Sequence, residues 1–233
     1  MKKSFFLIAF LLLGLTTIGF SQDKDSKKST RSFDLEAFDG IELKISADIN
    51  LTQGAQSVSI SGKEKAFEKL DLSVKNGILV IGAKNKAKNI PRLQIDIAME
   101  TVSMLKVFGD GNIIGEGAFS GLDKLKLDVF GSGDIEVEAN CQKLLCDIFG
   151  SGDIRVSGSA NSSEISISGS GDQQSYGLQT QKTKITIYGS GSCEVHANES
   201  LDVNLTGSGN VHYKGSPTVS KKILGSGELV SMN

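Results

Sequence analysis

The chain has 233 residues, 27 of them glycine, and a formal net charge of −2. Only three arginines occur (Arg31, Arg92, Arg155), so the basic footprint of a nucleic-acid binder is missing and no nucleic-acid partner is expected. Three cysteines (Cys141, Cys146, Cys193) are too few for a disulfide framework and leave at least one thiol unpaired within the chain.

Lys2 and Lys3 precede a mostly apolar run from Phe5 to Leu15 and small residues up to Ser21. That order is a secretory signal peptide, residues 1–21, and the run is shorter than the roughly 20 apolar residues that span a bilayer. An exported product is expected, in the periplasm, at the cell surface or outside the cell. Residues 22–32, polar through Arg31 and Ser32, read as a flexible linker. From Phe33 to residue 231 one all-β domain is expected.

Its first part alternates apolar and polar residues: Ile41, Leu43 and Ile45; Ile49 and Leu51; Val58 and Ile60; Leu72 and Val74; Leu79 and Ile81. These are short strands. Lys63 to Leu70 suggests a short helical turn, and Asn76-Gly77 a hairpin between Val74 and Leu79. This segment is read as an atypical N-terminal cap.

Residues 101–231 carry a repeat. A Gly-x-Gly pair starts at Gly109, Gly131, Gly150, Gly169, Gly189, Gly207 and Gly225, mostly 18 to 20 residues apart. Apolar residues sit four and two places before the first glycine of most pairs (Leu127 and Val129, Ile165 and Ile167, Ile185 and Ile187, Val203 and Leu205). They recur four and six places after it (Ile135 and Val137, Ile154 and Val156, Cys193 and Val195), except where Gln173 and Ser175 stand. Near-fixed spacing with like residues in like columns predicts stacked coils of a β-solenoid rather than a sandwich. The glycines Gly131, Gly133, Gly150, Gly152, Gly169, Gly171, Gly189, Gly191, Gly207 and Gly209 are the structural turns, where backbones stack too closely for a side chain. Gly115 and Gly117 fall off this period.

Three features carry the resemblance to a known family: FDLEAFDGIELKISADINLTQG (Phe33 to Gly54), LDLSVKNGILVI (Leu70 to Ile81), and the GSGD turns at Gly131, Gly150 and Gly169. From Phe33 to Val230 the chain resembles the auto-transporter adhesin head domain family, the GIN domain. The resemblance implies a right-handed parallel β-helix, related in shape to pectin lyases, in an exported protein with a role in adhesion. It brings no functional residues with it.

Three columns are the candidate sites. Phe108, Phe130, Phe149 and Tyr188, in line with Ser168, Thr206 and Leu224, form an aromatic strip that is either a ledge for sugar rings or packing beneath the turns. Asp134, Asp153 and Asp172 stack as a calcium candidate, although hydrogen bonding within each turn is the favoured reading. Ile114, Glu136, Arg155, Gln174, Glu194, His212 and Val230 make an outward column read as cross-strand charge pairing. Cys146 and Cys193 take the places of core aliphatics, with a Cys141–Cys146 bridge left open. His196 and His212 fall in different columns.

No Gly-x-Ser-x-Gly, His-Glu-x-x-His or P-loop motif occurs, and no catalytic residue or cofactor is assigned. The expected function is a non-catalytic binding or adhesion module that presents a repetitive surface to a glycan or a surface protein, with self-association open. A carbohydrate-active β-helix enzyme and an envelope spacer are the alternatives.

Overall fold

The first half of the chain folds as β1 (Lys28–Phe33), β2 (Gly40–Leu43), β3 (Ala47–Gln53), β4 (Ser57–Lys63), α1 (Glu64–Lys69), β5 (Leu70–Lys75), β6 (Ile78–Ala83), β7 (Leu93–Met99) and β8 (Met104–Gly109). The repeats follow as β9 (Asn112–Gly131), β10 (Ile135–Gly150), β11 (Ile154–Gly169), β12 (Gln173–Gly189), β13 (Cys193–Gly207), β14 (Val211–Lys214), β15 (Thr218–Gly225) and β16 (Leu229–Ser231). These elements belong to residues 28–232, which the computed structural model describes. The signal-peptide reading of residues 1–21 lies outside them.

The described strands join one hydrogen-bonded sheet that winds as a β-solenoid. Each long strand serves two faces: the start of β9 pairs with β3 and its end with β8. Successive coils lie parallel, with Ile135 opposite Ile154 and Gly150 opposite Gly169. The alternation therefore resolves into an inside and an outside. Leu127, Val129, Ile135, Val137, Ile154, Val156, Ile165, Ile167, Ile185, Ile187, Val203 and Leu205 are all buried. Each such aliphatic contributes about 1.5–3 kcal/mol on burial.

Gln173 and Ser175 also point inward, where they are fully covered and bond to each other (Gln173 Nε2 to Ser175 Oγ, 2.5 Å). The register of β12 between Ile154 and Cys193 holds Gln173 inside despite its polarity.

The two glycines of a turn are required for different reasons. Gly150 has φ +133°, a region closed to ordinary side chains, and an added Cβ would also strike the Gly131 carbonyl oxygen. Gly152 has no such φ; its Cβ would strike the Gly133 carbonyl oxygen and come 2.8 Å from Val129 Cγ1. The turn amides of Ser151 and Gly152 both donate to Gly131 O in the coil before (2.8 and 3.1 Å), so the backbones cannot move apart without losing these bonds.

The N-terminal end departs from simple stacking. The strand orders β5-β6-β2-β8 on one face and β1-β4-β7-β3-β9 on the other place the β6/β7 coil outside the earlier β2/β3 coil. At the end of the stack β1, β4 and β5 run antiparallel to their partners. Between β4 and β5, α1 buries Ala66 and Phe67 over the end of the core. The helical turn and the Asn76-Gly77 hairpin stand where the sequence places them, both hairpin residues with positive φ.

The linker reading of residues 22–32 needs correction over its described part. Residues 28–32 belong to β1, which pairs with β4. Arg31 lies 4.3 Å from the Phe67 ring centroid and pairs with Glu64, while Ser29 Oγ donates to Glu64 Oε1 (2.5 Å). The open edge of β4 takes a polar strand because the edge needs backbone partners, not apolar side chains.

At the other end, Val219, Leu224 and Met232 are exposed. Lys221 takes the register position of the buried Val203, an inward-placed charge that discourages further strands from adding. Among the described residues, no helix is long and apolar enough to cross a membrane.

Candidate binding surface

The glycine turns form one edge of the solenoid, and the residue after each turn knits the coils together. Asp134 N donates to Asn112 Oδ1 (3.1 Å), Asp153 N to Asp134 Oδ1 (2.9 Å), Asp172 N to Asp153 Oδ1 (3.0 Å) and Ser192 N to Asp172 Oδ1 (2.7 Å). Each carboxylate thus accepts from the next coil's backbone rather than from its own turn, as the sequence reading had it. Arg155 adds a counter-charge, with Nη2 3.0 Å from Asp153 Oδ2 and Nη1 3.7 Å from Asp134 Oδ2. These bonds and this guanidinium relieve the repulsion that motivated the calcium reading. No group of three or more His, Cys, Asp or Glu among the described residues could hold a metal ion.

The aromatic strip lies on the outer face of the strands that enter the turns. Phe108 stacks on Phe130 with centroids 5.0 Å apart and planes 12° apart, and Phe130 on Phe149 at 5.0 Å and 2°. Lys44 covers the first ring, its Nζ 5.6 Å from the Phe108 centroid, and Lys106 lies within 5.8 Å of Phe108 and Phe130. Beside the stack, Asp128 is fully covered and pairs with Lys126 (2.9 Å) and Lys106 (3.2 Å). Phe149 remains 44% exposed. Ser168 interrupts the column in the next coil, and Tyr188 resumes it at 59% exposure. The four aromatic candidates are therefore a stack of three and a separate tyrosine.

On the face that leaves the turns, the structure assembles a groove that sequence reasoning missed. Ile114 pairs with Glu136 and Ala118 with Glu138, so residues 115–117 stand opposite Val137 alone and bulge out. Ser175 pairs with Val195 and Gln179 with His196, so residues 176–178 have no counterpart in the next coil. Both bulges line an open groove of about 420 Å³ that also holds Glu136, Glu138, Arg155, Gln174 and Glu194. Arg155 Nε donates to Gln174 Oε1 (3.1 Å), and Lys214 Nζ sits 4.6 Å from the Tyr176 centroid. The signal was present in the off-period Gly115/Gly117 pair and in the 22- and 20-residue spacings after Gly109 and Gly169.

All three cysteines are free and buried, so the Cys141–Cys146 bridge is not formed. Cys141 lies beside Leu122 and Ala160 in the stack and Cys146 beside Leu127 and Ile165, each held by its neighbouring coils. Burial pushes the Cys141 thiol up to about 11 and raises Cys146 and Cys193 well above the ordinary thiol range. His212 is the register partner of Glu194, and His196 of Lys214, in separate columns as expected.

The family described as "Putative auto-transporter adhesin, head GIN domain" matches residues 37–217. The chain belongs to this family. Solved structures share its fold. A putative adhesin from Bacteroides fragilis NCTC 9343 shares 25% identity at a TM-score of 0.81, over 90% of this chain and 99% of that one. A protein from Parabacteroides distasonis ATCC 8503, described as a putative lipid binding protein, shares 26% identity at 0.74, over 90% and 98%. A putative adhesin from Parabacteroides merdae ATCC 43184 has the same fold at 23% identity and a TM-score of 0.73, over 90% and 98%. No curated protein matches the chain. Within this GIN domain the Gly-x-Gly turns set the frame, and the aromatic column and the bulge-walled groove are what stand on it.

Proposed function

We propose that this GIN-domain protein is an exported, non-catalytic adhesion module that binds a surface glycan or surface protein through the outer faces of a rigid solenoid. One observation carries the reading. The interior is mostly aliphatic, and groups able to make contacts, among them Phe149, Tyr188, Glu136 and Arg155, stand outside in open columns. Stacked parallel coils hold such columns at fixed spacing, so partners meet a preorganised surface. Membership in an adhesin-head family supports adhesion and export.

The groove with Glu136, Glu138 and Glu194 around Arg155 favours a second reading, a carbohydrate-active enzyme. Of these carboxylates Glu136 and Glu138 are exposed and Glu194 is half-buried, so none is enclosed as a water-excluding catalytic site would hold it. The envelope-spacer reading is opposed by Lys221 at the terminal coil.

The test combines binding and turnover on the same preparation of the mature chain. The protein is applied to a glycan array, to intact bacterial surfaces and to lipid vesicles, and each bound glycan is then checked for cleavage. Saturable surface or glycan binding without cleavage is the expected result. Cleavage abolished by Glu136→Gln would establish the enzyme instead, and binding to vesicles alone would replace the adhesin with a lipid binder.

A further inference from the structure

We propose that Phe149, Ser168 and Tyr188 form a sandwich site for a single neutral pyranose ring of a glycan. The proposal rests on the adhesion reading above and supplies it with a ligand class and a place. The aromatic ladder has a regular pitch, 5.0 Å from Phe108 to Phe130 and 5.0 Å from Phe130 to Phe149. Its first face is covered by the Lys44 ammonium, while the residue opposite Phe149 in the next coil is Ser168, which adds no ring to the ladder. Tyr188 follows one coil further on in the same register.

Two coil spacings of about 4.8 Å put Phe149 and Tyr188 about 10 Å apart along the column. A ring inserted at the level of Ser168 would lie about 5 Å from each, within the range of 4.5–7 Å that stacked rings adopt. The gap is thus one ring deep. The exposure pattern agrees: Phe108 and Phe130 are half-buried by the stack, whereas Phe149 is 44% and Tyr188 59% exposed.

The surroundings select the kind of ring. Ser166 and Thr186 lie on the same outer face two residues before Ser168 and Tyr188, with Asp147 and Lys184 near them in a shallow groove of about 270 Å³. Hydroxyls, two carboxylates and one ammonium along one side of an aromatic gap suit a ring with apolar faces and hydroxylated edges, which is a pyranose. Asp147 is already paired with Lys126 (3.2 Å) and Glu164 with Lys143 (2.7 Å), so the carboxylates beside the gap are compensated within the protein and a neutral ring needs no counter-charge from them.

The experiment titrates cellotetraose, mannotetraose and galactotetraose into the full mature chain by calorimetry, beside Phe149→Ala, Tyr188→Ala and Ser168→Phe. Thermal melts confirm folding of each variant. Ser168→Phe fills the gap with the protein's own ring, so it should melt at or above the wild-type temperature and lose binding entirely. Tyr188→Ala, at an exposed position, should fold normally and weaken binding about tenfold, as the loss of one stacked face predicts. Unchanged affinity in a folded Ser168→Phe or Tyr188→Ala protein would overturn this site while leaving adhesion intact. Failure of wild type to bind any neutral oligosaccharide, with intact surfaces still bound, would overturn the sugar ring and point to a protein partner. Failure on surfaces as well would remove the adhesion reading itself.

Discussion

Gly152→Ala is the smallest change that tests the stacking account, because it adds one carbon to a turn. Gly152 does not use a left-handed φ, so alanine meets no intrinsic backbone barrier there. On backbone entropy alone the substitution should stabilise by about 0.4–1 kcal/mol. The structure reverses that sign. The new Cβ would overlap the Gly133 carbonyl oxygen and lie 2.8 Å from Val129 Cγ1, and both belong to the coil beneath. Relief requires the coils to separate, which strains the bonds from Ser151 N and Gly152 N to Gly131 O. Overpacking of this kind costs about 1–3 kcal/mol, and the loss of an aligned backbone bond adds about 1 kcal/mol. A net loss of about 2–3 kcal/mol lowers the melting temperature by roughly 4–12 °C in a domain of this size. The neighbouring Ser151→Ala, at an exposed position, should change stability by less than about 0.5 kcal/mol. Paired thermal melts and urea titrations give both values. Equal shifts for the two variants, or a more stable Gly152→Ala, would refute stacking as the reason for the glycine.

Asp153→Ala should destabilise by about 1–2 kcal/mol, because the Asp172 amide loses its acceptor, while Asp153→Asn keeps most of the stability in the same urea titration. Adding calcium or a chelator should leave the wild-type melting temperature unchanged, and a rise with calcium would revive the ion-binding reading of the Asp134–Asp172 column. Gln173→Ile with Ser175→Val restores the aliphatic pair of the other coils and removes a buried amide oxygen without a partner, so the melting temperature should rise; a fall would show that Gln173 is satisfied within the core. Asp48 is held below the ordinary carboxylate range chiefly by its hydrogen bonds from Arg92 (2.6 and 2.5 Å), opposed by desolvation. A depressed folded value contributes stability above the unfolded pKa that is lost as pH falls through the folded one. Asp48→Asn should therefore cost under about 1 kcal/mol at neutral pH, given the exposure of the pair, and nothing in strong acid.

Much of the fold was legible because stacking forces like residues into like columns. The inward aliphatics, the glycine turns, the Asn76-Gly77 hairpin and the helical turn before Leu70 each have a local cause written in the sequence. The strand over residues 28–33 was not legible: its partner is the backbone edge of β4, 25 to 35 residues away by register, and an edge of that kind imposes no apolar pattern. The exchange of the β6/β7 and β2/β3 coils was hidden for a similar reason, since both have the same alternation and nothing local ranks their order. Of the candidate sites, the aromatic column and its break at Ser168 were legible from the spacing, but the face-to-face stacking of Phe108, Phe130 and Phe149 depends on ring orientations that spacing does not encode. The groove was obscured because its walls are departures from the repeat, and the same regularity that revealed the coils set Gly115 and Gly117 aside.

The central claim is that the outer face of the stacked coils is where the partner sits, and a nuclear magnetic resonance titration tests it most directly. The ¹⁵N-labelled mature chain is titrated with whichever neutral oligosaccharide binds, and the shifted backbone amides are mapped. Shifts centred on residues 145–149, 164–168 and 184–188, with the oligosaccharide intact at the end, are the predicted result. Shifts centred on Glu136, Arg155 and Glu194 with release of cleaved sugar would contradict the account and make the chain an enzyme.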